Sequence, residues 1–169
     1  MSELFETFDE AGEPLGLVAR EIVHRDGLWH RSSNVFLFHP DGRLYLQRRA
    51  CDKDVCPDLW DLSVGEHLQP GESHAEGAIR GLKEELHVCG VDVVTLGEVT
   101  PFRLEIPRLG IRDLELQQCF RAVYGGPVSL DPGEVADARL VTLDELRKGM
   151  HEQPGDFTPW LHFHAHVIE

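Results

Sequence analysis

The sequence lacks several features that mark major classes of protein. It contains no run of about 18 apolar residues, and its start, MSELFETFDEAGE, has neither a basic region nor an apolar run, so we expect neither a membrane span nor an export signal. Cationic residues are scarce, since 16 lysines and arginines stand against 30 aspartates and glutamates, for a net charge of -14. This balance argues against binding to a nucleic-acid polymer, which normally requires a basic face.

Cysteine is also scarce. The chain has four cysteines, Cys51, Cys56, Cys89 and Cys119, without the paired short spacing of zinc sites or the density of a disulfide framework. We therefore expect reduced thiols and a cytoplasmic location. A length of 169 residues, 41% of them hydrophobic, predicts one domain over residues 1–169 with a sizeable core. The sequence does not specify an oligomeric state, and a homodimer is compatible with it.

The most informative stretch is a glycine-bounded loop followed by an amphipathic helix, residues 65–88, with the sequence GEHLQPGESHAEGAIRGLKEELHV. Its apolar residues fall on one side of a helical wheel: Ala75, Ala78, Ile79, Leu82 and Leu86. This spacing predicts a helix with one buried stripe, and Ser73 followed by Glu76 is a start signal. Glu84, Glu85 and position 81 share a flank away from the stripe, where adjacent acids would repel unless a cation lay between them.

This stretch resembles the Nudix box, in which Gly, five residues, Glu and seven residues precede Arg-Glu-aliphatic-any-Glu-Glu-any-Gly-aliphatic. The matching positions are Glu72, Arg80, Leu82, Glu84, Glu85 and Val88. The departures are Glu66 for the first Gly, Gly81 for the first helical Glu, and His87 for the last Gly. A pattern with so many fixed positions is a specific signal, and the chain is identified by it as a member of the Nudix superfamily. Gly81 bears on activity rather than on fold, because the family uses the missing carboxylate to hold a divalent metal.

The order of the other elements fits the fold that the resemblance implies, an α/β/α sandwich with a mixed central sheet. An N-terminal extension, residues 1–29, is predicted to contain a β-hairpin of strands 3–8 and 15–19, followed by a loop from residue 23. Strands 34–38 and 43–47 flank a turn at residues 39–42 and predict a second hairpin. Further strands are predicted at residues 60–64, 91–99, 102–106, 114–124 and 138–141, and helices at residues 143–150 and from residue 158.

Within the superfamily, the segments QRRACDK and DLWDLSVGEH resemble the branch that contains isopentenyl-diphosphate isomerases and their hydrolase-like relatives. By position, His30 and His67 resemble metal-holding histidines of the isomerase, and Glu115 resembles its acidic catalytic and metal-binding residue. The isomerase's catalytic cysteine, however, corresponds to Gly65. His24 is interpreted as a polar surface residue, which is the usual role of a loop histidine.

Hydrolysis of a diphosphate requires charge neutralisation on the phosphates and an in-line water, which clustered carboxylates achieve by holding Mg²⁺ or Mn²⁺. Glu84 and Glu85 are the expected ligands, although two such glutamates alone would usually form a solvated face. The resemblance implies the Gly65 carbonyl as a further ligand, Glu72 as a residue that orients the site, and Arg80 as the anchor of a carboxylate. A surface pair between Arg80 and Glu84 is the alternative.

Three cations lie close together shortly before the box in this acidic chain, namely Arg48, Arg49 and Lys53. They predict contact with phosphate, and for Arg49 and Lys53 the isomerase resemblance implies the same role. A solvated basic patch is the alternative.

Two interpretations of Gly81 remain open. A neighbouring strand could require close approach, or the missing carboxylate could let metal move toward His67 and Glu115, with His30 and Glu66 as outer candidates. In the second case, imidazole ligands would favour later transition metals over Mg²⁺ and would have to be neutral to bind.

Three functions are compatible with the sequence. The favoured one is Mg²⁺- or Mn²⁺-dependent hydrolysis of a small-molecule diphosphate, either a nucleoside diphosphate derivative or a related compound. The second is a degenerate Nudix domain that binds a ligand or partner without turnover. The third is allylic isomerisation, which needs an acid and a base on opposite faces of the substrate, and Gly65 cannot supply one of them.

Overall fold

The computed structural model describes residues 3–168, which form a mixed sheet between helical layers. The strands are β1 (Leu4–Phe8), β2 (Pro14–Ala19), β3 (Trp29–Phe38), β4 (Leu44–Arg49), β5 (Trp60–Asp61), β6 (Val64–His67), β7 (Val94–Ile106), β8 (Ile111–Val123) and β9 (Val135–Val141). The helices are α1 (Arg20–Asp26), α2 (His74–Leu86), α3 (Leu143–Glu152) and α4 (Pro159–His164). The predicted α/β class, mixed sheet and N-terminal hairpin are confirmed.

Strand β3 is the centre of the sheet because it is paired along both edges. On one edge it runs parallel to β8, from Trp29 opposite Leu114 to Phe38 opposite Val123. On the other edge it is antiparallel to β6, and it meets β1 and β4 at its two ends. Strands β7 and β9 extend the sheet beside β8 and β4. This arrangement brings β3, β6 and β8, which carry several of the predicted site residues, side by side.

The core has two apolar layers, one on each face of the sheet. Alternate residues of a strand face opposite sides, so Val35 of β3 lies in the layer beneath α2, whereas Phe36 lies in the layer beneath α3 and α4. Helix α2 contributes Ala78, Leu82 and Leu86 to the first layer. Each fully buried leucine contributes roughly 1.5–3 kcal/mol, so these contacts fix α2, and with it the box glutamates, against the sheet.

Helix α2 begins and ends with recognisable caps. Ser73 and Glu76 form the predicted capping box, in which Ser73 Oγ accepts from the Glu76 amide and the Glu76 carboxylate accepts from the Ser73 amide at 2.9 Å. His87 ends the helix at φ 54°, ψ 31°, a left-handed conformation that favours glycine. Ile79, predicted to be buried, is 47% exposed, while Gly77, Gly81 and Glu85 are buried. The buried face therefore reaches further toward β6 than the apolar stripe indicates.

Several local predictions are corrected. Much of the predicted loop before β3 is structured, because Val23 packs into the core on the short helix α1 and β3 already begins at Trp29. The second hairpin has its predicted turn, but β3 and β4 pair only at Phe38 and Leu44, since β9 and β5 occupy the edges of β4. The segments predicted as two strands form one strand, β7, with an irregularity between Leu96 and Thr100.

Two further boundaries differ. The predicted strand at residues 60–64 is divided between β5 and β6, and β9 begins three residues before its predicted start. Among residues 3–168, no helix has the length and apolar composition needed to cross a membrane.

Candidate active site

A polar cavity of about 650 Å³ lies beside β6, between helix α2, strands β3 and β8, and the loop that follows β4. Most of the predicted site residues line it: Arg49, Lys53, Gly65, His67, Arg80, Glu84, Glu85 and Glu115. The cavity has two chemically different ends. One carries glutamates from α2 and β6, and at the other His67 lines the cavity, with the rings of His24 and His30 packed against it.

The first end contains the glutamate cluster, defined as Glu66, Glu84 and Glu85. Arg80 organises it, because Arg80 Nη1 lies 3.2 Å from a Glu66 oxygen and 3.1 Å from a Glu84 oxygen. The same guanidinium holds Glu72 at 2.9 Å, and Glu72 in turn accepts from the Gln69 amide at 2.8 Å. Arg80 thus contacts Glu84, as in the surface-pair alternative, but it also fixes the box loop to the helix.

The three glutamates have unequal surroundings. Glu85 is only 5% exposed, and burial, followed by the charge of Glu66, raises its pKa well above the usual range. Burial also raises the pKa of Glu66 to about 7, although Arg80 opposes the shift. The Glu84 side chain, in contrast, is 53% exposed. Burial and mutual repulsion disfavour the ionised form of these carboxylates, and a bound cation stabilises that form.

The opposite end contains the histidine cluster, defined as His24, His30, His67 and Asp113. One ligand atom from each residue lies within 4.8 Å of the others. Four elements contribute, since α1 carries His24, β3 carries His30, β6 carries His67 and β8 carries Asp113. The ring centroids of His30 and His67 are 5.0 Å apart, and Phe5 stacks on His30 at 5.1 Å.

Hydrogen bonds and burial prepare this cluster for a metal. His24 Nε2, His30 Nε2 and Asp113 Oδ1 are buried and have no hydrogen-bond partner among the described residues. Burial lowers the pKa of His24 to about 4 and lowers those of His30 and His67, so the rings are neutral near pH 7, as metal binding requires. His30 Nδ1 lies 3.1 Å from the Leu28 carbonyl. A proton on Nδ1 would bond there and leave Nε2 available as a ligand.

The predicted metal ligands are therefore divided between the two ends. His67 belongs to the histidine cluster, whereas Glu84 and Glu85 belong to the glutamate cluster. Glu115 lies beside the histidines, but its carboxylate accepts from Trp160 Nε1 at 3.0 Å and Gln117 Nε2 at 2.8 Å. The group of four converging ligands found within residues 3–168 does not include Glu115.

Gly65 borders the cavity on β6, opposite Asn34 of β3. A Cβ added at Gly65 would lie 3.6 Å from Asn34 Oδ1 and 3.8 Å from Leu62 Cδ1. Both are ordinary contact distances, so the fold has room for a side chain at this position.

Two members of the histidine cluster were missed by sequence reasoning. Its loop position predicts a surface role for His24, but this residue lies on α1, where its side chain is only 11% exposed and faces Asp113 at 3.7 Å. Asp113 was not singled out. The available signal was its spacing of two residues from Glu115, which places both carboxylates on the same face of β8.

Only two of the three predicted phosphate-binding cations line the cavity. Arg49 lines the cavity, where it donates to the Val55 carbonyl at 3.2 Å and lies over the Trp160 ring at 5.2 Å. Lys53 lines it as well and pairs with Glu134. Arg48 does not reach the cavity and instead bonds the Asp58 carbonyl. Adjacent residues of a strand point to opposite sides, which explains the separation of Arg48 from Arg49.

Comparisons with known proteins agree with this architecture. A family model described as NUDIX domain matches residues 28–161. The chain is 36% identical over 167 residues to an isopentenyl-diphosphate Delta-isomerase of Nocardia farcinica, covering 97% of this chain and 91% of the relative. It is 35% identical over 152 residues to an uncharacterized Nudix hydrolase of Pseudomonas aeruginosa, covering 86% and 85%.

Solved structures show the same fold at lower identity. The DR0079 protein of Deinococcus radiodurans superposes with a TM-score of 0.77 at 20% identity, covering 98% of this chain and 97% of that one. The dihydroneopterin triphosphate pyrophosphohydrolase of E. coli gives a TM-score of 0.62 at 18% identity, covering 82% and 91%.

Proposed function

This chain belongs to the Nudix family, and we propose that it is a divalent-metal-dependent pyrophosphohydrolase of a nucleoside diphosphate derivative or a related small diphosphate. The observation that carries the proposal is the composition of one cavity. Carboxylates of the box and cationic side chains that can bind phosphate line this cavity together. Its volume of about 650 Å³ lies within the range of small-ligand sites, roughly 300–1,000 Å³.

The donor atoms at both ends fit divalent cations. The glutamate cluster offers oxygen atoms alone, which suit Mg²⁺ or Mn²⁺. The histidine cluster offers imidazole nitrogens and one carboxylate, which suit later transition metals, and its unpartnered buried atoms support this interpretation. When bound, such cations supply charge neutralisation on the phosphate oxygens and favour attack by water.

The residues of the chain perform the remaining tasks. Arg80 orients Glu66, Glu72 and Glu84 through one guanidinium group. On another part of the cavity wall, Arg49 and Lys53 offer positive charge to the diphosphate. Lys53 is paired with Glu134, so phosphate binding would exchange one anionic partner for another.

Allylic isomerisation is the second candidate. It is favoured by the relatives that are named isopentenyl-diphosphate Delta-isomerases and by the buried histidine cluster. Gly65 opposes it, because glycine carries no group that can transfer a proton. Incubation with isopentenyl diphosphate in heavy water tests this candidate, since isomerisation would incorporate deuterium into the substrate.

The hydrolase proposal is tested by incubating purified protein with a panel of nucleotide and isoprenoid diphosphates, with Mg²⁺ and with Mn²⁺. Glu85→Gln is the inactivating variant. Glu98→Gln is its matched control, because Glu98 is an exposed residue of β7 away from the cavity. We expect metal-dependent formation of the two phosphorylated products of diphosphate cleavage by wild type and by Glu98→Gln only. No turnover of any compound, with the metal sites loaded, would favour a binding domain without catalysis.

A further inference from the structure

Gly81 lacks the carboxylate that the Nudix box provides, and a residue of β6 occupies the space beside it. A Cβ added at Gly81 would lie 2.7 Å from Val64 Cγ1, 3.1 Å from Glu66 Cβ and 3.4 Å from Glu66 Cγ. The first distance is a steric overlap, and the second is tighter than an ordinary contact. The stem of Glu66 therefore fills the volume into which a side chain at position 81 would extend.

Glu66 also brings its charge to the flank of α2 where the missing carboxylate would lie. Residues three and four apart are neighbours on a helix, so position 81 shares its flank with Glu84 and Glu85. Glu66 lines the same cavity as these two glutamates. Through Arg80 Nη1, the carboxylates of Glu66 and Glu84 share one nitrogen, at 3.2 and 3.1 Å.

We propose that Glu66 supplies the third carboxylate of a Mg²⁺-type site and replaces the glutamate that the box normally carries at position 81. The box glycine and the box glutamate have in effect exchanged places, so that the acid reaches the site from β6 instead of α2. This inference rests on the proposed metal-dependent function. In this interpretation, the departure from the box pattern at Glu66 compensates for the departure at Gly81.

A buried amide gives independent support for a cation in this part of the cavity. Gln47 lines the cavity and is 3% exposed, and its Oε1 has no hydrogen-bond partner in the part of the chain that the structure describes. Buried polar atoms are rarely left unsatisfied, and an amide oxygen is a suitable ligand for a hard cation. The glutamate oxygens do not converge within residues 3–168 as the histidine cluster does, so the proposed Mg²⁺ binding requires the carboxylates of Glu66 and Glu84 to move toward each other.

The first test measures Mg²⁺ binding without substrate, by calorimetry and by the Mg²⁺-induced rise in melting temperature. Mg²⁺ is the probe because its preference for oxygen ligands directs it away from the histidine cluster. Glu66→Gln keeps the shape of the side chain, and we expect it to weaken Mg²⁺ binding at least tenfold. Asp52→Asn, which removes one charge from an exposed residue of the same cavity, should change binding less than twofold. A folded Glu66→Gln protein that binds Mg²⁺ within twofold of wild type would overturn the proposal.

The second test moves the carboxylate back. Because Val64 would overlap a side chain at position 81, the variants carry Val64→Ala. We expect Glu66→Gly in this background to bind Mg²⁺ at least tenfold more weakly than the background protein, and addition of Gly81→Glu to recover at least fivefold. Equal affinities with and without Gly81→Glu, in proteins with cooperative melting, would contradict the exchange. If the triple variant does not fold, the comparison of Glu66→Gln with Asp52→Asn decides.

These measurements separate failure of the inference from failure of the proposed function. If no diphosphate is hydrolysed but Glu66→Gln loses Mg²⁺ affinity, the catalytic proposal alone fails. If wild type hydrolyses a substrate and Glu66→Gln keeps wild-type Mg²⁺ affinity, the role of Glu66 alone fails.

Discussion

Replacement of Glu85 by glutamine should make the metal-free protein more stable while it abolishes activity. Glu85 is nearly fully buried, and burial and the neighbouring charges of Glu66 and Glu134 raise its pKa well above the usual range. Its ionised form is therefore unfavourable in the fold without a cation. Glutamine has the same shape but no charge, so it removes the repulsion and leaves the apolar contacts of α2 in place.

The expected gain follows from the burial of this charge. Removal of a poorly compensated buried charge stabilises a protein by about 1–3 kcal/mol. In a chain of this size each kcal/mol changes the melting temperature by roughly 2–4 °C, so we expect a rise of about 2–12 °C in EDTA. Because the folded-state pKa of Glu85 lies above its unfolded value, wild type loses stability as pH rises through the folded pKa. The advantage of Glu85→Gln should therefore be largest at high pH and disappear below about pH 4.5.

The assay is thermal unfolding in EDTA between pH 4 and 9, followed by turnover with metal. We expect the variant to lose thousands-fold in kcat, on the order of 4–5 kcal/mol, because a carboxylate that positions metal and water is missing. Glu84→Gln is the matched control, since the exposed Glu84 should change the melting temperature by less than about 1 °C. A lower melting temperature for metal-free Glu85→Gln would refute the reasoning, and turnover within tenfold of wild type would remove Glu85 from the catalytic site.

Three further predictions concern the remaining parts of the cavity. Alanine at Arg49 or Lys53 should raise KM more than it lowers kcat, and Arg48→Ala is the control outside the cavity. An unchanged KM in both the Arg49 and the Lys53 variants would show that these residues form a solvated basic patch. Transition metals such as Mn²⁺ should bind the histidine cluster better than Mg²⁺, and His67→Ala should lose this binding. Because burial lowers the pKa of His24 to about 4 and also lowers those of His30 and His67, the affinity should persist well below pH 6.5, the pKa of an unburied histidine; titration of each metal into both proteins across this pH range checks this. Burial lowers the pKa of His24 to about 4, so below pH 6.5 the unfolded state binds more protons than the folded state. Between pH 7 and 4, the free energy of unfolding of metal-free wild type should therefore fall by about 3 kcal/mol more than that of His24→Gln. Urea unfolding measures this difference, and equal losses in both proteins would contradict burial of a neutral His24.

The sequence predicted the parts of the site that depend on local signals. The capping box predicted the observed start of α2 after Ser73, the apolar spacing predicted its helical character, and the box register predicted that Glu84 and Glu85 share one flank. These features depend on interactions within a few residues, which side-chain spacing encodes directly. The predicted metal site, in contrast, treated Glu115 and Glu85 as one set, although they lie at different ends of the cavity.

Long-range pairing determined what the sequence could not predict. The histidine cluster depends on the register of the parallel pairing of β3 with β8, two strands separated by much of the chain, which brings Asp113 Oδ1 to 3.4 Å from His30 Nε2. Such a register is specified by the packing of the whole sheet rather than by either strand. The short helix α1 buries only Val23 among its residues, so its pattern was too brief to distinguish it from a loop. The contact between Gly81 and Glu66 likewise depends on how α2 docks on β6.

Strand β6 joins the two ends of the cavity, because its successive residues Glu66 and His67 belong to different clusters. Arg80 reinforces the connection, since its Nη2 donates to the His67 carbonyl at 2.8 Å while Nη1 holds Glu66. A cation that draws Glu66 from Arg80 therefore acts on the backbone that carries His67. Any resulting change in affinity must be reciprocal: if Mg²⁺ at the glutamates alters Mn²⁺ binding at the histidines by some factor, Mn²⁺ alters Mg²⁺ binding by the same factor. With such a coupling, the two ends would respond to metal as one thermodynamically linked unit.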